Sequence, residues 1–352
     1  MARKKSGYKR MNKIEPAVQT LWFNVITPAD TTDSKFIDLS QVASLVNRRF
    51  YRQGINWAVS GIETYSTVST EGYSSQGNIV VSKLPSTWVM SNAWEKGFRV
   101  WQRMNNEALA ETESVRPRFL DFKIYADSVH HAAGFGANLL PIALEGAFAP
   151  GEWESSKITY PDTTLVGNSK ERDILAVGAS FPGTSVATGR NAVSLIEGYA
   201  ASRGLPNIAD PNTPDDAEDT SGVAPENWMA AVFNEGNIQT EQVIDIMTDE
   251  NNIAPYPFEN DGVNADTMYP NGANQGMGLE VHEYGYITPT TIGNQTNFKG
   301  SMFPCGLIRM DITNSLAAPG PGEQSRNMST LIGVRLVPGS HRGYLCEPMT
   351  EM

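Results

Sequence analysis

The chain has 352 residues, 40% of them hydrophobic, and a formal net charge of −12 at pH 7. This apolar content is enough to bury a substantial core, so we expect one large folded domain or two ordinary ones. No apolar run is long enough to span a bilayer, and none follows the basic N-terminus as in a secretory signal, so neither membrane insertion nor classical secretion is expected. The two cysteines, Cys305 and Cys346, are too few for a disulfide framework and are expected to be buried thiols.

The first thirteen residues form a basic arm that contains no acidic residue. Its six cations are Arg3, Lys4, Lys5, Lys9, Arg10 and Lys13. Without them the remainder of the chain carries −12 − 6 = −18, so the arm and the remainder have opposite charge. A cluster of fixed positive charge neutralises phosphates wherever its backbone can reach, without needing a fold. We predict that residues 1–16 are a flexible arm that contacts nucleic acid; a plain disordered tail and a nuclear import signal are the alternatives.

From residue 17 onwards, short alternating apolar segments recur between Gly, Pro, Asn and Ser, which is the pattern of β-strands. In residues 55–61, the side chains of Ile55, Trp57 and Val59 are predicted to point together into the core. The same period of two predicts strands at residues 120–124, 308–312 and 332–336, with weaker candidates at 21–26, 78–83, 173–177 and 279–287. These segments together favour an all-β fold, an antiparallel sandwich with a few short helices in long insertions between the strands. Residues 72–77 are predicted to form a hairpin turn.

The predicted helices lack the regular strand, helix, strand alternation of an α/β domain. Ser40 is expected to cap a short helix that runs to Arg49, and Ser86 to cap a longer one. The longer helix has an aromatic face that we expect to pack into the core. That face consists of Met90, Trp94, Phe98 and Trp101. Further helices are predicted at residues 191–203, 225–234 and 240–250.

The region of about residues 181–278 is the richest in loop signals and is predicted to be a large insertion or projection between strands. It contains the acidic run Asp215, Asp216, Glu218 and Asp219. Clustered carboxylates are able to bind a divalent cation, but the spacing here matches no calcium loop. A solvated acidic face is therefore the expectation, and neither a metal nor a cofactor is predicted.

No catalytic motif is recognisable in the chain. It lacks a phosphate-binding glycine loop, an H-E-x-x-H pair and a C-x-x-C pair. His130 and His131 lie close to Asp127 in the sequence, where acid–base chemistry is conceivable, but no nucleophile or orienting partner can be assigned. We therefore expect that the protein is not an enzyme.

Two segments of the chain are distinctive, MARKKSGYKR at residues 1–10 and LVPGSHRGYLCEPM at residues 336–349. Both resemble capsid proteins of smacoviruses, small viruses with circular, Rep-encoding single-stranded DNA. The resemblance implies a jelly-roll shell domain over residues 17–352 that self-assembles into a small icosahedral shell around the DNA genome. It also implies other copies of the chain, single-stranded DNA and an unidentified host receptor as partners, with the virion and the host cell, including its nucleus, as locations.

The arm departs from the pattern of related viruses, whose arms are often longer and richer in Arg, so nuclear import or an interface role is an additional expectation. Arg48, Arg49 and Arg52 form a second basic cluster, and Arg99 and Arg103 a third. These clusters extend the nucleic-acid surface if they face the same way as the arm; otherwise they are solvated faces or ion pairs. The alternative functions are a monomeric β-rich nucleic-acid-binding or cell-surface module and a β-sandwich hydrolase with a dispersed site.

Overall fold

The structure is a computed structural model that describes residues 16–68, 70–111, 114, 120–143, 145–161, 169–181, 191–204, 228–229, 278–289 and 294–352. The six cations of the arm, the acidic run at residues 215–219 and the helix predicted at 240–250 lie outside the described residues. Of the helix predicted at 225–234, residues 228 and 229 are described, and they are helical.

Most of the regular structure is β-sheet, and helices are few, as predicted. The strands that build the two larger sheets are β1 (Thr20–Thr27), β2 (Thr31–Asp38), β3 (Ile55–Val68), β4 (Gly77–Lys83), β8 (Glu280–Ile287), β9 (Gln295–Phe303), β10 (Leu307–Asn314), β11 (Met328–Leu336) and β14 (Cys346–Pro348). The other strands are β5 (Lys157–Pro161), β6 (Ser169–Leu175), β7 (Ala192–Ser194), β12 (Pro338–Gly339) and β13 (Gly343–Tyr344). The helices are α1 (Leu39–Asn47), α2 (Trp88–Glu111), α3 (Ser128–Ala133) and α4 (Leu195–Gly204), with 3-10 turns at Phe135–Ala137, Pro304–Gly306 and Met349–Glu351.

The two larger sheets are antiparallel throughout. In the first, β1, β11 and β3 lie side by side, and β9 and the short β14 also pair with β3. The second has the order β2-β10-β4-β8. Residues 72–77 do not form the predicted hairpin, because they connect β3 of the first sheet to β4 of the second.

A single core, the sandwich core, fills the space between these two sheets. Ile55, Trp57 and Val59 all belong to it, and Trp57 is completely buried, which confirms the predicted inward face of β3. Alternate residues of β10 and β11 contribute in the same way, as the period of two predicts. At about 25 cal/mol per Å² of apolar surface, this burial is the main source of stability for the sandwich.

Residues 84–279 lie between β4 and β8 in the chain, and we call them the insertion; none of their described residues belongs to a strand of either larger sheet. In its described part, α2, α4, the small β5-β6-β7 sheet and residues 120–126 build a second core, the insertion core. The insertion thus begins at residue 84, about a hundred residues before the start predicted at residue 181. The strand predicted at 173–177 overlaps β6 and belongs to this small sheet instead of the sandwich.

The strand predicted at residues 120–124 is wrong, because none of these residues is part of a strand; the next residue, Tyr125, forms an isolated bridge to Leu175 of β6. The alternation that suggested it is real, since Phe122 and Ile124 are buried. Their partners are the aromatic side chains of α2, with the Phe122 and Trp94 ring centroids 5.9 Å apart. The predicted core face of α2 is confirmed, because its residues belong to the insertion core. On α4, the absence of a side chain at Gly198 lets the ring of the buried Trp228 lie against the helix backbone.

Neither helix cap was predicted at the right residue: that of α1 was placed two residues too late, and that of α2 one residue too early. The carboxylate of Asp38, and not Ser40, caps α1 by accepting hydrogen bonds from the amides of Ser40 and Gln41. The α2 helix begins at Trp88, and the amide of Met90 in its first turn donates to the hydroxyl oxygen of Thr87, so Thr87 is the cap instead of Ser86. In α1 the Asp38 carboxylate accepts hydrogen bonds from two amides of the first turn that would otherwise be unpaired, which explains why Asp38 occupies the cap position.

Both cysteines are free thiols; Cys305 is buried as predicted, whereas Cys346 is half-buried. Within the described residues, no helix is long and apolar enough to cross a membrane.

Candidate nucleic-acid interface

The arginines predicted as additional contacts lie at the C-terminal end of α1. The helix ends at Asn47, and Arg48 adopts a left-handed backbone conformation with φ 54° that turns the chain away from the helix axis. Arg48, Arg49 and Arg52 are all exposed there. Positive side chains at this end of a helix also complement its macrodipole, which gives Arg48 and Arg49 a structural role alongside any role in binding.

The arm joins the sandwich at this same place. The backbone amide of Val18 donates to Oδ1 of Asn47 at 3.1 Å, and the carbonyl of Val18 accepts from the hydroxyl of Tyr344 at 2.7 Å. Nδ2 of Asn47 in turn donates to the Tyr344 hydroxyl at 2.7 Å. The structure therefore brings the root of the basic arm next to Arg48, the immediate neighbour of Asn47.

A fourth arginine, which sequence reasoning missed, comes from the turn between β12 and β13. Arg342 is exposed, has φ 51° and donates from its guanidinium to the carbonyl of Phe50. The Tyr51 hydroxyl donates to the carbonyl of Arg342 at 3.0 Å, so this turn is fixed against the loop that carries the other arginines. Arg342 lies 292 positions from Phe50, and no local pattern could have connected them.

We call Arg48, Arg49, Arg52 and Arg342 the arginine cluster. Within the described part of the chain, no salt bridge involves Arg48, Arg52 or Arg342. Burial raises the pKa of Tyr344 to about 12, against the opposing effects of the Asn47 hydrogen bond and the Arg49 charge, so its hydroxyl stays a donor at neutral pH. Burial, and then the charge of Arg342, lower the pKa of the neighbouring His341, so the arginines supply the positive charge at pH 7.

Most of the negative charge of the chain is remote from the cluster in sequence. Residues 205–277 contain 14 acidic side chains and no Lys, Arg or His, a formal charge of −14. Of the −18 outside the six arm cations, −18 + 14 = −4 is left for all other residues. Residues 14–204 and 278–352, which include the arginine cluster, therefore carry a net formal charge of only −4.

The third basic pair lies on α2. Arg99 forms an ion pair with Glu95 one turn earlier in the helix, so it is engaged as an ordinary surface pair. Arg103 also has an interaction partner. Neither is tied to the arm root by any of the hydrogen bonds that fix the arginine cluster.

The two adjacent histidines are held in structural networks. His130 is buried, accepts from the amide of Ala126 and donates from Nε2 to Asn138, and burial lowers its pKa to about 4. His131 Nε2 lies 2.9 Å from Asp173, and its Nδ1 is buried without a partner in the described residues. Neither imidazole faces a hydroxyl or thiol nucleophile among the described residues, so a hydrolytic dyad is not assembled from these histidines.

No group of three or more His, Cys, Asp or Glu among the described residues is arranged to hold a metal ion. Comparison with protein-family models, with curated proteins and with solved structures gives no match for this chain.

Proposed function

We propose that the chain is a viral coat subunit that self-assembles into a small icosahedral shell around a circular single-stranded DNA genome. In this proposal residues 17–352 form the shell domain and the basic arm contacts the DNA. The circular genome and the virion and nuclear locations follow from the smacovirus resemblance of residues 1–10 and 336–349. The shell and the polyanion contact have independent support from strand order and charge.

The strand order supports a jelly roll. Numbered 1 to 8 in chain order, the strands β1 to β4 and β8 to β11 pair as 1 with 8, 2 with 7, 3 with 6 and 4 with 5. The two strand numbers in each pair add up to nine, which is the pairing expected for one long hairpin rolled up into two sheets. The jelly roll is an arrangement used by viral capsid proteins, and also by lectins and cupins, so it narrows the class without deciding the function.

The observation that carries the proposal is the position of the arm root beside the arginine cluster. A closed shell needs its polyanion-binding groups on one side of every subunit, because symmetry repeats that side around a common interior. With about sixty copies, the arm alone would supply roughly 60 × 6 = 360 positive charges, and the cluster roughly 60 × 4 = 240 more. That is enough to neutralise several hundred phosphates, with small cations balancing the rest of a kilobase-scale genome.

Negative-stain electron microscopy of the purified full-length protein tests the proposal, with absorbance at 260 and 280 nm recorded on the same fraction. Uniform closed shells with excess absorbance at 260 nm are the expected result. A monodisperse small species at every salt concentration and pH would overturn the coat assignment and favour a monomeric binding module. Closed shells without excess absorbance at 260 nm would support the shell assembly and contradict the DNA contact.

A further inference from the structure

We infer that the outer face of the first sheet binds the bases of a single strand of nucleic acid by stacking them on Trp22 of β1 and Tyr65 of β3. We call these two side chains the aromatic platform. This inference deepens the proposed function and rests on its nucleic-acid contact. The ligand class is a single-stranded polynucleotide, because its unpaired bases are free to stack on aromatic side chains.

Both rings of the platform lie on the side of the sheet that faces away from the sandwich core. Leu21 and Phe23 belong to that core, so Trp22 between them points outward. The ring centroids of Trp22 and Tyr65 are 6.3 Å apart, with the two planes inclined by 36°. Both side chains are partly exposed. Two neighbouring aromatic rings are therefore accessible from solvent on one face of the sheet.

The indole of Trp22 extends over the neighbouring strand because residue 333 of β11 is a glycine. Trp22 and Gly333 are direct partners in the ladder, and a Cβ atom at Gly333 would lie 2.7 Å from Cζ3 of the indole. A glycine inside a strand weakens the strand and often marks a close approach of another group. Here the missing side chain lets one side of the indole rest on the sheet.

A buried carboxylate fixes the polar border of the platform. Glu63 accepts hydrogen bonds from the Tyr65 hydroxyl at 3.3 Å and from Nε of Arg335 at 3.2 Å, and Nη2 of Arg335 also donates to it. The phenol ring and the guanidinium are thereby held next to each other. Arg335 itself is exposed, so its solvent-facing N–H groups are in a position to donate to a phosphate oxygen.

The charge of this face complements a polyanion. On β1, β3, β9 and β11 the charged residues are Glu63, Lys299 and Arg335, a formal charge of −1 + 2 = +1. Glu63 is buried and paired with Arg335, whereas Lys299 is exposed. The acid of the fifth strand, Glu347 of β14, accepts a hydrogen bond from Asn56. No exposed carboxylate on the four longer strands therefore repels a phosphate.

The platform and the arginine cluster are close along the chain. The backbone of Val18 is bound at the end of α1, where the cluster lies, and Trp22 follows four residues later. Even a fully extended chain puts the backbones of Val18 and Trp22 at most about 14 Å apart. Arg335 pairs with Thr20, midway between them. Cations thus lie between the cluster and the rings, which favours a polynucleotide over a sugar or a second copy as the occupant.

Stacking and phosphate contacts have different signatures. A base stacked on an aromatic side chain contributes about 5- to 150-fold in affinity, and this contribution is lost when the base is removed. Phosphate contacts set the slope of the binding constant against salt concentration and are retained by a strand without bases. A comparison of strands with and without bases therefore separates the two.

The experiment measures binding of two fluorescent strands of equal length, oligothymidylate and a fully abasic strand with the same phosphates, to the full-length chain at concentrations that keep it unassembled. The proteins are the wild type, Trp22→Ala, Trp22→Phe and Tyr65→Ala. Tyr286→Ala, at an exposed tyrosine of the second sheet, is the matched control. Circular dichroism verifies that each variant is folded.

The wild type should bind oligothymidylate at least about 5-fold more tightly than the abasic strand. Trp22→Ala and Tyr65→Ala should each lose about 5- to 150-fold on oligothymidylate and little on the abasic strand, with an unchanged salt slope because no charge is removed. Trp22→Phe keeps a ring and should retain most of the preference for bases. Tyr286→Ala should bind both strands like the wild type.

A second measurement needs no variant. A strand that carries 5-iodouracil is irradiated in complex with the wild type, and the attached peptides are identified by mass spectrometry. Attachment to the peptides that contain Trp22 or Tyr65 is the expected result. Attachment only to other peptides would contradict the platform.

Three further results would overturn the inference. Equal binding of the two strands by the wild type would exclude base stacking and leave the nucleic-acid contact of the proposed function intact. Loss of shell assembly in Trp22→Ala with unchanged affinity for oligothymidylate would assign this face to a contact between copies of the chain. If the wild type binds neither strand at low salt, the nucleic-acid contact of the proposed function fails together with the platform.

Discussion

The hydroxyl of Tyr344 donates a 2.7 Å hydrogen bond to the backbone carbonyl of Val18, so two residues 326 positions apart fix the place where the arm leaves the sandwich. Because Asn47 binds both partners, the end of α1 is part of the same contact. The position at which the arm joins the sandwich therefore depends on the packing of the core, because Tyr344 packs on the buried Trp57. Substitutions in that core should therefore alter the position of the arm root relative to the end of α1.

Deletion of residues 1–13 removes six cations and no residue that the structure places in the sandwich core. We expect the truncated chain to form shells of unchanged diameter with a markedly lower ratio of absorbance at 260 to 280 nm. Electron microscopy and absorbance on the same gradient fraction make the comparison. Truncated shells with the full nucleic-acid content would contradict a packaging role for the arm.

Trp57→Ala should destabilise the sandwich by about 3–5 kcal/mol, because it removes a large side chain that is completely buried between the sheets. Trp57→Asp should prevent folding, because it would bury an unpaired charge. Urea denaturation followed by circular dichroism measures the first effect and solubility the second. Tyr286→Asp, at a side chain that is 68% exposed, serves as the control and should fold normally. A Trp57→Asp chain that stays soluble and assembles would show that the face of β3 that carries Trp57 does not lie in the core.

Gly198→Ala should destabilise the insertion by about 1–3 kcal/mol, although alanine is the better helix former. A Cβ atom at this position would lie 2.2 Å from Nε1 of Trp228, whose rigid ring is buried and donates to the carbonyl of Ser194. Gly136→Ala, where nothing lies within 4 Å, is the matched control and should be neutral. Thermal unfolding of both variants gives the comparison, and a Gly198→Ala chain as stable as the wild type would argue against this packing.

Asp121→Asn should flatten part of the pH dependence of stability. Burial raises the pKa of Asp121 to about 6, with Lys123 acting in the opposite direction. Because the pKa in the folded state lies above that in the unfolded state, the stabilising contribution is fully present below about pH 4 and is lost as the pH rises through about 6. Between pH 4 and 7 the wild type should lose up to roughly 3 kcal/mol more than the variant.

Urea denaturation at a series of pH values measures this difference in the free energy of unfolding. Asp30→Asn replaces an exposed carboxylate and is the control, which should follow the wild type across the series. Parallel pH curves for the wild type and Asp121→Asn would show that Asp121 ionises normally in the folded protein.

The inward faces of the sandwich strands were predictable because a period of two is a local signal. Trp57, Met310 and Val334 were assigned correctly in this way, and all three are buried. The strand β2 was not predicted, because its first five residues are polar and only Ile37 of its side chains belongs to the sandwich core. The strand β9 was not predicted, because only Phe298 and Phe303 of its nine residues are buried. A strand that faces the core with one or two residues has no periodicity to detect.

Residues 120–124 show the opposite case, in which side chains are buried in alternation although the segment is not a strand. Alternating burial of Phe122 and Ile124 was read correctly, yet the segment packs under α2 and joins no sheet ladder. Burial on alternate residues requires only an extended backbone with one side covered, and a helix covers it as well as a sheet does. The cap at Asp38 was missed for a different reason. Ser40 is a good capping residue by type, but the preceding carboxylate reaches the first amides of the helix.

The amino-acid sequence by itself determined the charge of the arm, the apolar periodicity of the main strands and the acidity of residues 205–277, because each depends on residues that are close together along the chain. Only the tertiary structure decided which strands pair, where the insertion leaves the sandwich and which arginines meet at the arm root. Arg342 reaches Phe50 and Tyr344 reaches Val18 across about three hundred positions. Contacts of that span are set by the closure of the two sheets, which brings β1, α1 and the β12–β13 turn together at one end.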